Sequence, residues 1–239
     1  MEGKERGRPL LVSFSGVDGS GKSTQIENLL VALHGRGFKT LKLAFWDDVV
    51  VGVRYREGFV HQVYKSERGI GAPGKPVNRR DKNMRGWHLT LARYFLYLLD
   101  ALHLCRVVAR EPQREGVVPV EVIVFDRYIY DELANLNLEN PLSRLFVRFV
   151  HRFIPRPDIA YLLDADPAAA RARKPEYPVE FMVQCRQAYL DLAAQLRTMT
   201  VITAMPLQET EQAVVAAAEE LISLKQSSSD RASRRLSAA

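Results

Sequence analysis

Nine consecutive residues have the types and spacing for one particular chemistry: Gly16, Val17, Asp18, Gly19, Ser20, Gly21, Lys22, Ser23 and Thr24. Glycines at 19 and 21 let the backbone curl with its N–H groups turned inward and no Cβ in the way. Lys22, expected on an exposed loop, supplies charge rather than packing. The hydroxyl of Ser23 suits a hard divalent cation. The pattern G-x-x-x-x-G-K-[ST] cradles the phosphates of a nucleoside triphosphate when a strand precedes it and a helix follows. Here the apolar run Leu10–Ser15 precedes it, and Ile26, Leu29, Leu30 and Leu33 recur at helical spacing after it. The stretch therefore predicts a site for ATP and Mg²⁺, with Gly16–Thr24 on the phosphates, Lys22 on their outer oxygens and Ser23 on the metal.

Two further groups of residues could act on the same phosphates. Asp126 closes the apolar run Glu121–Phe125, which places it at the carboxyl edge of a sheet, where it can hold the metal directly or through water. Arg127 follows and suits an anionic group of a second substrate. No carboxylate stands directly after Asp126 to activate water, which tilts away from ATP-hydrolysing motors. Downstream, Asp166 reads as an N-cap and Pro167 as the first residue of a short helix carrying Arg171, Arg173 and Lys174, stopped by Pro175 and Pro178. Such a segment, about 167–180, suits a lid closing over transferring phosphates; the alternative is a solvated basic face.

The elements that position these residues follow from the hydrophobic pattern. Five β-type runs, Leu10–Ser15, Lys39–Phe45, Glu121–Phe125, Ile159–Leu163 and Thr200–Thr203, alternate with helical stretches. Several are continuously apolar, as strands buried on both faces are. Helices are expected after the glycine motif, ending at Gly35 and Gly37; over Leu91–Val108, buried; along the stripe Phe181, Cys185, Ala188, Tyr189, Leu192, Leu196; and over Glu211–Leu224. This predicts an α/β fold of three layers, a five-stranded parallel sheet with helices on both faces. Residues 53–65 read as a helix and 69–83 as a flexible loop. The domain is expected to span 1–225, and the serine-rich basic tail 226–239 to be disordered.

Composition sets bounds. The chain has 239 residues, 47% of them hydrophobic and 26% charged, as in a globular protein with a real core. Its formal charge of +6 favours an anionic partner. Cys105 and Cys185 have no metal-ligand spacing and read as small core residues. No apolar run is long enough to cross a membrane, and the short apolar part of the N-terminus does not make a signal peptide. A cytoplasmic protein is expected. No nucleic-acid reader motif is present, and the basic residues fall largely in loops and the tail, so nucleic acid is not the expected partner.

Together, "FSGVDGSGKST", "FDRY", "PDIAYLLDADPAAARAR" and "CRQAYLDLA", and less closely "VITAMPLQETEQAV", resemble the thymidylate kinase family of P-loop nucleoside monophosphate kinases over most of Leu10–Leu224. The resemblance implies the P-loop kinase fold, transfer of phosphoryl from ATP to a nucleoside monophosphate with dTMP first, and a homodimer. It implies that Asp18 bonds the acceptor's sugar, that Arg127 grips its phosphate beside Tyr128, and that Tyr97 stacks on its base. Ser20 stands where one subgroup has an arginine, a charge that Arg171 and Arg173 would then supply from the lid. Three features depart from the family. Its Arg-Glu-Pro-Gly after the second strand is absent. Leu99-Asp100-Ala101 lacks the base-reading arginine. Asp131-Glu132-Leu133-Ala134-Asn135-Leu136 replaces Ser-x-x-Ala-Tyr-Gln. The residues leave room for other acceptors: a nucleoside, a sugar or another small metabolite, or a nucleotide-binding module with little turnover.

Overall fold

Five short strands pair in parallel in the order β2-β3-β1-β4-β5. They are β1 (Leu10–Ser15), β2 (Thr40–Ala44), β3 (Val122–Asp126), β4 (Ile159–Leu163) and β5 (Met199–Ile202). The computed structural model describes residues 8–52, 87–110, 120–203 and 205–236. The expected helix over 53–65 and loop over 69–83 lie outside them.

Strand residues alternate between two cores. Leu11, Leu43, Ile123, Phe125, Ala160 and Leu162 face one side. Leu10, Val12, Phe14, Val122, Val124 and Tyr161 face the other. Because side chains in a strand point alternately up and down, every β1 residue is buried, and the run reads as continuously apolar apart from two serines. The first face is covered by α2 (Trp87–Arg110), α3 (Ile129–Leu133), α4 (Pro141–Phe153) and α6 (Val179–Leu196). The second is covered by α1 (Lys22–Gly35) and α7 (Leu207–Leu236). This is the expected three-layer architecture.

Helix boundaries follow local chemistry. After α1, Gly37 takes φ +82°. The N–H of Phe38 then reaches the carbonyl of Leu33, and that of Gly37 reaches His34, a Schellman stop with Phe38 and Leu33 in one core. Asn140 caps α4 through Leu142 N at 2.9 Å, and Pro141 stands at its first position.

Two expectations are corrected. The helix expected to be buried over Leu91–Val108 runs from Trp87 to Arg110 and is two-faced: Ala101 and Leu104 are buried, whereas Leu91 and Phe95 are exposed. Its apolar residues go all the way round, but only one stripe meets the sheet. The tail expected to be disordered from 226 continues α7 to Leu236. No glycine or proline interrupts 207–236, and a helix already nucleated extends at little cost. No helix among the described residues is long and apolar enough to cross a membrane. Neither cysteine forms a disulfide among the described residues, and both are partly buried.

Candidate active site

All five strands end at one edge of the sheet, and the loops leaving β1, β3 and β4 there carry the residues singled out above. The loop after β1 begins at Gly16 and hands over to α1 at Gly21, which takes φ +93° and offers no side-chain cap. The first N–H groups of α1 therefore face outward without a capping side chain, and no acidic residue lies in its first turn. An anion is the ligand that such an end accepts. The Oγ of Ser20 is buried without a partner among the described residues, a polar atom aimed into the loop.

Lys22 is the first residue of α1 and is only 7% exposed, not displayed on an open loop as expected. Its Nζ donates to the carbonyls of Gly16 and Val17, both at 2.9 Å, so the side chain folds back across the loop mouth. Burial pushes its ammonium down to about 8, with Arg127 adding to the shift and Asp18, Asp131 and Asp126 opposing it. Phosphate oxygens are the natural replacement for those two carbonyls.

Arg127 leaves the end of β3 with φ +66°, a left-handed conformation uncommon outside glycine, and its N–H is anchored on the Phe14 carbonyl at 2.9 Å. The strained turn aims the guanidinium at the P-loop. One nitrogen donates to Asp18, and the other donates to Asp131 at 3.0 Å. Burial opposes its charge, yet Asp131 and Asp18 outweigh burial and raise its pKa above the ordinary arginine value. Burial would likewise raise the Asp18 carboxyl, but Arg127, Lys22 and Lys174 hold it below the usual carboxylate range. The Arg127 side chain remains 23% exposed, enough to meet a ligand. Asp126, at the end of β3, lies within the field of Lys22.

The third loop, after β4, leads into α5 (Pro167–Arg173), capped by Asp166 through Ala169 N at 2.8 Å. The helix lies against the loop: a Cβ on Gly19, which has φ +78°, would stand 2.3 Å from the Ala170 carbonyl oxygen. Between them opens a cavity of about 310 Å³ lined by Ser20, Gly21, Thr24, Asp164, Arg173 and Thr203. Arg171 turns the other way, its Nε donating to the Tyr177 carbonyl at 3.2 Å. Lys174 pairs with Glu176 at 3.1 Å and adds its field to Asp18.

A scan against models of known protein families finds no match. Among curated proteins, the chain is 30% identical over 196 residues to the thymidylate kinase of Bifidobacterium longum subsp. infantis, covering 77% of this chain and 74% of that one. The chain belongs to the thymidylate kinase family. Other relatives span more of the chain at lower identity. The probable thymidylate kinase of Archaeoglobus fulgidus is 24% identical over 226 residues, 92% of this chain and all of that one. The probable thymidylate kinase of Pyrococcus abyssi is 26% identical over 219 residues, 87% of this chain and 95% of that one.

Against the resemblance to the thymidylate kinase family, two residues sit elsewhere. Tyr128, expected beside the acceptor, is fully buried, packs on Phe45, Phe125 and Tyr130, and gives its hydroxyl to the Pro155 carbonyl. Its position follows from β3: the chain reverses at Arg127, which turns the next side chain into the core. Tyr97 is only 8% exposed and belongs to the same core. Three residues were missed. Asp131 joins Arg127, Ser15, Tyr128 and Tyr189, with Ser15 Oγ at 2.6 Å and Tyr189 Oη at 2.7 Å. A carboxylate four residues after an arginine on a short helix was the available signal for Asp131. Ser15 and Tyr189 carried none, since a strand serine and a helix tyrosine look like packing.

Proposed function

We propose that the chain transfers the γ-phosphoryl group of ATP to dTMP, giving ADP and dTDP. The observation that carries this reading is Asp18, whose carboxylate is paired with Arg127 and lies in the field of Lys22. A cation suited to the donor phosphates and one suited to the acceptor phosphate thus both act on one loop residue, which supports transfer between two bound phosphates. Residues 1–225 form the kinase domain in this reading, and 167–180 its lid.

The roles follow from the chemistry of each group. Loop N–H groups of Gly16–Thr24 and Lys22 bind the donor phosphates, and Lys22 exchanges two carbonyls for phosphate oxygens. Arg127 orients the acceptor phosphate, and Asp18 the acceptor sugar. Arg171 and Arg173 supply charge where Ser20 has none, Arg171 after turning from the Tyr177 carbonyl. The cavity between loop and lid suits the nucleoside of ATP. Ser23 and Asp126 offer the hard oxygen donors that Mg²⁺ takes, and the metal when bound offsets charge on the phosphates. Among the described residues no group of three His, Cys, Asp or Glu makes a metal centre. One carboxylate and one hydroxyl with substrate oxygens are enough for Mg²⁺. An acceptor phosphate is already a nucleophile, so no general base is called for. The reading extends to a cytoplasmic homodimer acting on small molecules.

A panel of kcat/KM values with ATP and Mg²⁺ held constant tests it. The expected preference for dTMP over dUMP or dCMP is weak, about tenfold, because the base-reading arginine is absent at Ala101. Arg127→Ala removes activity on all three. A parent enzyme inactive on every monophosphate overturns the reading.

A further inference from the structure

Asp131 occupies a position that the family pattern gives to serine, and no role was assigned to it. Its side chain is nearly fully buried at the junction of four elements. One carboxylate oxygen accepts from Arg127 at 3.0 Å and from Tyr189 Oη at 2.7 Å. The other accepts from Ser15 Oγ at 2.6 Å and from Tyr128 N at 3.2 Å. A carboxylate has about four lone-pair sites, and here all are taken. A serine has one oxygen and could not serve four donors in four directions. The bond to Tyr128 N caps α3, which is a structural role. The bonds to Arg127 and Tyr189 are not needed for a cap.

We propose that Asp131 is a positioning residue that clamps the Arg127 guanidinium for the acceptor phosphate and, by cancelling part of its charge, limits how tightly that phosphate binds before transfer. The proposal rests on the reading of Arg127 as the ligand of the acceptor phosphate. Arg127 is held at both terminal nitrogens, by Asp18 on the loop and by Asp131, so its plane is fixed while the side chain stays partly exposed. The two carboxylates offset part of the guanidinium's pull on an incoming dianion. Tyr189 holds the clamp from α6, the helix that follows the lid.

The charge argument predicts a sign that ordinary damage does not produce. In Asp131→Asn the charge-assisted anchor is weakened and one of the two carboxylates that offset the guanidinium is lost, while Asp18 remains. The expected result is a kcat at least about tenfold lower, an acceptor KM that falls rather than rises, and a KM for ATP within about twofold of the parent. Asp131→Ser should behave alike, and Tyr189→Phe, which keeps the carboxylate, should lie between parent and Asp131→Asn. A lower melting temperature with both KM values unchanged and kcat kept would make Asp131 a helix cap only and overturn the proposal, as would an acceptor KM that rises.

A second measurement does not depend on the acceptor. In protein labelled with ¹⁵N-arginine, a clamped Arg127 gives separate, slowly exchanging Nη signals, identified by their loss in Arg127→Ala. They should average in Asp131→Asn. Averaged signals already in the parent overturn the clamp. If the parent phosphorylates no monophosphate, the proposed function fails while these signals still decide whether Asp131 holds Arg127.

Discussion

Buried, and donating among the described residues to two backbone carbonyls, Lys22 holds its proton weakly, and a polyphosphate changes that. With its ammonium pushed down to about 8, the free protein is half deprotonated there near pH 8. Phosphate oxygens restore the ordinary preference for the charged form. ATP binding at pH 8 should therefore take up roughly half a proton, and affinity should fall as pH rises beyond 8. The same shift makes the free protein gain stability from this group as pH climbs from about 8 toward the ordinary lysine range, since the unfolded chain then binds the extra proton. Below 8 that contribution is absent. Calorimetry in two buffers of different ionisation enthalpy measures the uptake, and Lys22→Met should abolish it. No uptake in the parent would mean that Lys22 is fully charged before ATP arrives.

Two glycines in one loop separate backbone conformation from contact. Gly19 and Gly21 both have φ near +80 to +90°, where a side chain costs about 1–2 kcal/mol. Around Gly21 a Cβ would meet open space, but at Gly19 it would strike the Ala170 carbonyl of α5. Gly19→Ala should lower kcat far more than Gly21→Ala, because only the first pushes α5 off the loop. Equal losses in steady-state kinetics would show that the contact carries nothing. Much of the element order was legible: five β-type runs, several of them continuously apolar, gave the strands, and 3.6-residue spacing gave α1, α2, α6 and α7, whereas α3 and α4 were not foreseen. Asp166 and Pro167 placed α5, because a cap and a first-turn proline act locally. The reach of α7 was not legible, since composition marks 226–239 as soluble without saying whether a helix passes through it. Nor was the Asp131 junction, because Tyr189 lies 58 positions from its partner and nothing local at either residue announces the bond.

The whole molecule should report its ligands through its melting temperature. At a hundredfold excess over Kd, a ligand bound only by the folded state adds about 2.7 kcal/mol. For a domain of this size that is a rise of roughly 5–10 °C. ATP analogue with Mg²⁺ should give such a rise, and dTMP added to it a second. A second rise from a nucleoside or sugar but not from dTMP would reassign the acceptor. The glycine loop and the start of α1 were legible in nine adjacent residues. The acceptor half was read by likeness, and there Tyr97 and Tyr128 went to the core, because the turn at Arg127 and the packing of α2 decide which faces point inward.

The position of β1 in the sheet has a consequence in time. It lies between β3 and β4, with Leu10 against Val122 and Val12 against Ile159. Each pairing closes a span of about half the chain or more, and such distant contacts form slowly. On a growing polypeptide the glycine loop emerges early, yet its neighbours at Arg127 and Ala170 are made much later. Nucleotide can guard the finished protein against unfolding, but it cannot template the early stages of folding. The first functional residues to be synthesised are thus among the last to become able to bind.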